Sequence, residues 1–240
     1  MPKKLSELRI KIFADGAEKA SMLAAAADPL VKGFTTNPTL MRKAGVTDYA
    51  AFAKEILFEI KEKPISFEVF SDDFTEMERQ AWIINSWASN VYVKIPTMNT
   101  KKISAAPLIK KLAAQGVKLN VTAIMTLEQV KEVEAALAPT VPAIVSVFAG
   151  RIADTGVDPM PLMRAAKELL AANPAHELLW ASPRELYNVY QAEEVSVDII
   201  TVTLEIIKKA EKIGYDLNEL SRETVQMFYD DGQKVGYALY

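Results

Sequence analysis

A lysine stands inside an otherwise apolar segment, VYVKIP at residues 91–96, whose β-branched content is typical of a buried strand. Burying an ammonium group is costly, and a lysine escapes that cost by losing its proton. The neutral amine of Lys94 would be a nucleophile for a carbonyl carbon, so Schiff-base chemistry becomes available without a cofactor. The alternative is a lysine that faces outward or forms a buried ion pair with Asp15 or Glu68.

Two carboxylic acids stand at the ends of other short apolar segments. Asp15 follows KIFA, and Glu68 follows ISF. Carboxyl groups beside a lysine could transfer protons to and from a carbinolamine and deprotonate a hydroxyl during carbon–carbon cleavage. Either carboxylate could instead be a paired, unreactive charge.

Short polar side chains form a second group, in the segments TTNP at 35–38 and NVT at 120–122. Thr35, Asn37, Asn120 and Thr122 could bind substrate hydroxyls or hold a catalytic water. The alternatives are a turn at Asn37-Pro38 and an ordinary strand threonine at 122.

Two arginines define a third group. Arg151 follows SVFAG, which begins at Ser146, and Arg184 follows Ser182-Pro183. Arginines on adjacent loops, together with a serine and backbone N–H groups, could clamp a phosphate. Two unrelated surface arginines are the alternative.

The scaffold for these residues is predicted from eight short apolar runs that alternate with segments of helical period, the pattern of repeated βα units. The predicted strands are residues 10–15, 31–36, 65–70, 91–95, 119–124, 143–148, 178–182 and 198–202. We therefore predict a single (β/α)₈ TIM barrel, in which side chains at the carboxyl ends of the strands form the active site. A doubly wound open sheet is the runner-up, but no glycine-rich phosphate fingerprint follows the first run.

The helical segments carry apolar residues at three- and four-residue spacing. They are residues 18–27, 49–61, 75–88, 106–114, 127–137, 160–172 and 204–213, with an additional C-terminal helix at 217–235. That last helix could cap the barrel, pack on another subunit or simply lie on the surface. No composition break divides the chain, so residues 1–240 are predicted to form one domain.

Composition excludes several functional classes. The 240 residues include no cysteine and one histidine, His176 in a predicted loop, which argues against thiolate chemistry, Ser-His-Asp relays and multi-histidine metal sites. The net charge of −3 without a basic block predicts no nucleic-acid or membrane partner. With no apolar leader or membrane-spanning run visible, we expect a cytoplasmic protein.

Five motifs in order resemble the transaldolase family. They are TTNP at 35–38, VYVKIP at 91–96, NVT at 120–122, FAGRI at 148–152 and ASPR at 181–184. Together they extend over nearly the whole predicted barrel. The resemblance implies transfer of a dihydroxyacetone unit from a ketose phosphate, such as fructose 6-phosphate, to an aldose phosphate, such as erythrose 4-phosphate, with no metal or organic cofactor.

The resemblance also implies roles for individual residues. Lys94 is similar to the Schiff-base lysine, Asp15 to the acid–base for carbon–carbon cleavage, and Glu68 with Thr122 to the partners of a catalytic water. The substrate-contacting positions are matched by Thr35, Asn37, Asn120 and Ser146, and the phosphate-binding positions by Arg151, Ser182 and Arg184.

The same family includes fructose-6-phosphate aldolases, which release free dihydroxyacetone. Glu68 and Phe148 resemble the transaldolase choices, whereas the aldolase branch tends to have glutamine and tyrosine. A non-catalytic barrel that binds sugar phosphates is a further alternative. Gly16 after Asp15, a longer segment at 97–102 and Pro183 depart from the family pattern and bear on the acceptor sugar. The oligomeric state stays open, with a homo-oligomer among the possibilities.

Overall fold

The computed structural model describes residues 2–240 and contains eight parallel strands in a closed barrel. The strands are β1 (Lys11–Asp15), β2 (Val31–Thr35), β3 (Ile65–Glu68), β4 (Val91–Pro96), β5 (Leu119–Ile124), β6 (Ala143–Val147), β7 (His176–Trp180) and β8 (Ile199–Thr203). Each strand pairs with its neighbours in sequence, and β8 returns to β1. The predicted TIM barrel is confirmed, and the open doubly wound sheet is excluded by closure.

Helices connect the strands and surround the barrel. They are α1 (Lys19–Ala27), α2 (Pro38–Lys43), α3 (Tyr49–Glu59), α4 (Phe74–Asn85), α5 (Ala106–Ala114), α6 (Leu127–Ala136), α7 (Ala149–Ala153), α8 (Met160–Leu170), α9 (Tyr187–Val195), α10 (Leu204–Lys208) and α11 (Leu217–Val235). Sequence analysis missed α2, α7 and α9. The first two are single turns or little more. The buried side chains of α9, Val189, Ala192 and Val195, have the three-residue spacing of a helix, so this element could have been predicted. The predicted helix at 204–213 is divided, since a 3₁₀ turn, Lys209–Lys212, follows α10.

Side chains of the strands alternate between two apolar layers. The larger layer lies between the strands and the helices, and a smaller cluster, formed by Phe13, Ile144, Leu179, Ala181 and Ile199, fills the barrel interior. Both faces of each strand are thus covered, which is why the strands are nearly continuous apolar runs. A polar side chain inside one of these runs therefore indicates a site rather than a solvated face.

A glycine on β2 makes room for the interior cluster. A Cβ atom at Gly33 would lie only 2.5 Å from the tip of the Phe13 ring, which faces it across the β1–β2 pair. Any larger residue at 33 would displace that ring into the barrel axis. Phe13 can therefore close the interior below Asp15, which is two residues further along β1.

His176 is the first residue of β7 and is buried, so its predicted place in a loop is wrong. Its Nδ1 lies 2.6 Å from Oε2 of Glu134 on α6, and its Nε2 lies 3.2 Å from the carbonyl oxygen of Ala138. Two acceptors facing the two ring nitrogens favour the doubly protonated imidazolium. β7 begins early because this polar pair, invisible to hydrophobic periodicity, anchors its first residue to α6.

The His176 contacts predict a pH-dependent stability. Burial lowers the pKa of His176, but the bonds to Glu134 and Ala138 outweigh it and hold the pKa above its usual value. A raised folded-state pKa gives stability that is complete below the unfolded value of about 6.5 and is lost as pH rises through the folded value. We expect His176→Gln to lose about 1.5–3 kcal/mol at pH 6 and less at pH 8, measured by urea unfolding. Equal losses at both pH values would contradict this account.

The predicted C-terminal helix is present as α11, after the barrel is complete. It buries none of its side chains and exposes apolar ones, among them Val225, Phe228 and Tyr229. Within residues 2–240, no helix combines the length and apolar character needed to span a membrane.

Candidate active site

A cavity of about 550 Å³ opens at the carboxyl ends of the strands. It collects side chains from strands that are far apart in sequence, as expected of this end of a barrel. Its lining comprises Asp15, Thr35, Asn37, Pro38, Thr39, Leu40, Lys43, Glu68, Lys94, Thr122, Ala123, Ser146, Phe148, Arg151, Leu179, Ala181, Ser182, Arg184 and Thr201. All of the residues selected from the sequence lie here except Asn120.

Lys94 points into the barrel from the middle of β4, whereas Val93 and Ile95 pack outward. Only 6% of the residue is exposed. Its Nζ lies 3.0 Å from Oε2 of Glu68 and donates to the carbonyl oxygen of Thr36 at 3.1 Å. The ion pair offered as an alternative to reactivity therefore exists, but it lies inside the cavity. There the Glu68 carboxylate is within reach of a proton on the Lys94 amine.

Asp15 ends β1 and accepts a hydrogen bond from Oγ1 of Thr35 at 2.8 Å. Burial raises the pKa of Asp15, and the nearby carboxylate of Glu68 adds to the increase, while Lys94 and the Thr35 hydroxyl offset part of it. The net pKa is above the usual aspartate value. A carboxyl group with a raised pKa takes up and releases protons closer to neutrality, which suits a general acid–base.

Glu68 is held in place by Tyr49, the first residue of α3. The phenol oxygen accepts from the backbone N–H of Glu68 at 2.8 Å and donates to its carbonyl oxygen at 3.0 Å. The Tyr49 ring packs edge-on against Phe67 and Phe70. Tyr49 thus fixes the backbone at the end of β3, and burial raises the pKa of its phenol, which keeps the donor protonated.

We expect Tyr49→Phe to destabilise the fold by about 1–3 kcal/mol, because it removes both bonds and leaves a half-buried N–H and carbonyl without partners. Urea unfolding measures this loss. Tyr187→Phe is the matched control, since that ring is 62% exposed on α9. Similar stabilities for both variants would show that the phenol does not secure β3.

Thr122, on β5 opposite Pro96 of β4, is 1% exposed, and its hydroxyl has no hydrogen-bond partner among residues 2–240. The following residue, Ala123, has a positive φ of 61°, and the β5–β6 register shifts between Val121 and Ile124. This irregularity interrupts regular pairing at the cavity wall. Since buried hydroxyls need partners, Thr122 is suited to a water or a substrate hydroxyl.

Asn120 lies beneath the cavity and is fully buried. Its amide donates to Oγ of Ser66 at 2.9 Å, and its carbonyl oxygen accepts from Oγ of Ser146 at 2.6 Å. Ser146 lines the cavity, so Asn120 reaches it through that hydroxyl. Asn37, in contrast, reaches the cavity while its side-chain oxygen caps α2 by accepting from Leu40 N–H at 3.0 Å.

Two guanidinium groups and one hydroxyl, from Arg151, Ser182 and Arg184, gather at the ends of β6 and β7. Nε of Arg184 donates to Asp154 at 3.0 Å, and Nη2 donates to the other oxygen of the same carboxylate. That contact lowers the pKa of Asp154 and leaves the Nη1 edge of Arg184 for another acceptor. The arrangement is suited to bidentate binding of phosphate.

The backbones of this region approach each other closely. A Cβ atom at Gly150 would lie 1.6 Å from the carbonyl oxygen of Ser182, and Ser182 itself has a positive φ of 62°. Arg151 also lies over the Phe148 ring, 5.3 Å from its centroid. Helix α7, which carries Arg151, and the segment after β7, which carries Ser182 and Arg184, are therefore packed as one unit.

Sequence analysis missed Lys43 and Thr201, both in the cavity wall. Lys43 was missed because α2 was not predicted. Thr201 is one of two threonines in β8, and threonine is common in strands, so it carried no signal comparable to the buried charge of Lys94. Among residues 2–240, no three His, Cys, Asp or Glu side chains are grouped to hold a metal ion.

The fold and the site together define a TIM-barrel protein with a buried lysine and two carboxyl groups at the carboxyl ends of its strands. The family model described as transaldolase/fructose-6-phosphate aldolase matches residues 12–239. The chain belongs to this family.

Curated relatives agree with that membership. A probable transaldolase of Bdellovibrio bacteriovorus is 33% identical over 94% of this chain and 98% of its own length. A second probable transaldolase, from Sphingopyxis alaskensis, is 33% identical over 96% of this chain and all of its own. Among solved structures, a putative phosphonomutase from Burkholderia cenocepacia superposes with a TM-score of 0.53 at 14% identity over 92% of this chain and 96% of its own, which is a likeness of fold alone.

Proposed function

We propose that this chain is a transaldolase that transfers a dihydroxyacetone unit between sugar phosphates through a Schiff base on Lys94. The observation that carries the proposal is the buried amine of Lys94, 3.0 Å from Glu68, in a cavity that also contains Asp15. One amine and two carboxyl groups are the groups that imine formation and carbon–carbon cleavage require. Family membership supports the same chemistry.

In the proposed reaction, the neutral amine of Lys94 attacks the C2 carbonyl of a ketose phosphate. The oxygen of C2 leaves as water, for which Glu68 and the Thr122 hydroxyl provide the proton transfer. Asp15 then removes the proton of the C4 hydroxyl, the C3–C4 bond breaks, and its electron pair moves into the imine to give an enamine. The aldehyde product departs, and a second aldehyde captures the enamine by the reverse steps.

The phosphate-binding candidates support phosphorylated substrates. Arg151, on α7, follows β6, and Ser182 and Arg184 follow β7, so all three lie about a quarter turn or more around the barrel from Lys94 on β4. An extended sugar held as an imine at C2 would direct its far end toward them, whereas Thr35, Asn37 and Ser146 would contact its hydroxyls. Fructose 6-phosphate or sedoheptulose 7-phosphate is the proposed donor. These are intracellular sugar phosphates, so the proposal assigns the enzyme to the cytoplasm and the pentose phosphate pathway.

Phe148 favours transfer over release of free dihydroxyacetone. Its ring lines the cavity and lies under the Arg151 guanidinium. A phenylalanine has no hydroxyl with which to protonate the enamine, so the three-carbon unit stays bound until an aldehyde arrives. Fructose-6-phosphate aldolase activity is the second candidate.

The test is incubation with fructose 6-phosphate and borohydride, with and without erythrose 4-phosphate. Mass spectrometry locates a reduced three-carbon adduct, and product sugars are followed in unreduced samples. An adduct on Lys94, with product only when acceptor is present, supports the transaldolase. Steady release of dihydroxyacetone would indicate the aldolase instead. Absence of an adduct with any ketose phosphate would leave a non-catalytic sugar-phosphate-binding barrel.

A further inference from the structure

Thr201, in the middle of β8, is a buried hydroxyl that the proposed reaction does not use. It is 5% exposed and lines the cavity. Its Oγ1 is in a short hydrogen bond with Oγ1 of Thr35, which in turn donates to Asp15. The three side chains, from β8, β2 and β1, form a continuous chain of hydrogen bonds that ends on the carboxyl group.

The direction of these bonds follows from counting hydrogens. A threonine hydroxyl has one hydrogen, and an ionised carboxylate can only accept. While Asp15 is ionised, the Thr35 hydroxyl must donate its one hydrogen to Asp15. The Thr35 oxygen must therefore accept a hydrogen bond from the Thr201 hydroxyl. In residues 2–240, Thr35 is the one hydrogen-bond partner found for the Thr201 hydroxyl, which can therefore rotate without breaking another bond.

We propose that Thr201 is a positioning residue for Asp15, which acts through the Thr35 hydroxyl by donating when Asp15 is ionised and accepting when Asp15 is protonated. This inference rests on the proposed function, in which Asp15 takes the proton of the C4 hydroxyl. The proton stays on Asp15; the Thr35 and Thr201 O–H bonds only reverse their direction. The chain thus keeps one hydrogen between each pair of oxygens in both states, but the hydrogen of Thr201 itself has an acceptor only while Asp15 is ionised, so the chain favours the carboxylate.

Thr201 also affects the pKa of Asp15 without carrying a charge. The titratable groups that face Asp15 are Lys94, whose charge lowers its pKa, and Glu68, whose charge raises it. The Thr35 hydrogen bond lowers it as well. Because donation by Thr201 polarises the Thr35 hydroxyl, it strengthens that bond to the carboxylate.

The test compares Thr201→Val, which keeps the shape and removes the hydroxyl, with Thr201→Ser, which restores it. We expect Thr201→Val to move the acid limb of the kcat/KM profile to higher pH by roughly half a unit or more, while Thr201→Ser stays close to the parent. Thr203→Val, two residues along β8, is the matched control, since the Thr203 hydroxyl has no hydrogen bond in residues 2–240 and is outside the cavity lining.

A direct titration separates this inference from the proposed function. The Asp15 carboxyl resonance, followed by NMR in protein labelled with carbon-13 aspartate and assigned with Asp15→Asn, should titrate at higher pH in Thr201→Val even if the enzyme uses no sugar phosphate. An unchanged titration in folded Thr201→Val would overturn the inference and leave the Lys94 mechanism intact. Failure of the parent protein to form any Lys94 adduct would overturn the proposed function alone.

Discussion

A Lys94→Ala variant should lose turnover by a factor on the order of 10⁴ or more, because the covalent step needs the buried amine of Lys94, and Lys43, the other lysine in the cavity wall, is exposed. Lys94 is the one lysine among residues 2–240 that is buried, and Glu68 is its ion-pair partner. Phosphate affinity should largely survive, since Arg151 on α7, and Ser182 and Arg184 after β7, are separate from β4. Steady-state transfer from fructose 6-phosphate, together with isothermal titration with inorganic phosphate, measures both effects.

Two further variants sharpen that result. Lys111→Ala removes an exposed lysine that pairs with Glu78 on the outer helices, and it should keep both activity and the borohydride adduct. Removing Lys94 also leaves Glu68 without its cation, so a Lys94→Met,Glu68→Gln double variant provides an inactive form without an unpaired buried charge. Full activity in any Lys94 variant would contradict the Schiff-base mechanism.

The second large effect is expected at the phosphate end of the cavity. Arg184→Ala should raise KM about 10–100-fold for phosphorylated donors, which corresponds to charge-assisted hydrogen bonds of about 1.5–3 kcal/mol. KM for free dihydroxyacetone should change little, because that substrate has no group to reach Arg184. Initial rates across both donor types, at fixed ionic strength, measure the ratio.

Arg164→Ala is the matched control for this variant. Arg164 on α8 pairs with Glu194 and is 48% exposed, against 49% for the side chain of Arg184. Its removal should leave both KM values unchanged. If Arg184→Ala raised KM equally for phosphorylated and free donors, the phosphate assignment would be contradicted.

Sequence patterns predicted the fold because each barrel strand is covered on both faces. Such strands are short apolar runs, and all eight were located to within a few residues. Lys94 and Glu68 were predicted for the same reason, since a charge within or at the end of such a run is costly unless it serves a site. Elements that bury little, such as α2 and α7, left no periodic signal to detect.

Hydrogen bonds between polar residues distant in the chain could not be predicted from the sequence. Nothing in the one-dimensional pattern links Thr201 to Thr35 or Tyr49 to the backbone of Glu68, because each bond joins strands or helices distant in the chain. At Asn120 the prediction was wrong by a shorter distance. Its strand was predicted correctly, yet the side chain lies one hydrogen bond below the cavity, behind Ser146. Whether a strand residue lines the cavity or lies just below it depends on the direction of its side chain, which the position of the strand does not determine.

The contact between Gly150 and the Ser182 carbonyl limits how this protein can evolve toward other substrates. Connecting segments usually diversify more readily than the elements they join, but a side chain at position 150 of α7 would collide with the carbonyl oxygen of Ser182, so the two backbones must keep their present contact. A change of substrate preference toward a different anionic group should therefore arise by substitution of Arg151 and Arg184 on an unchanged backbone. A directed-evolution library should randomise those two positions together and keep Gly150 fixed.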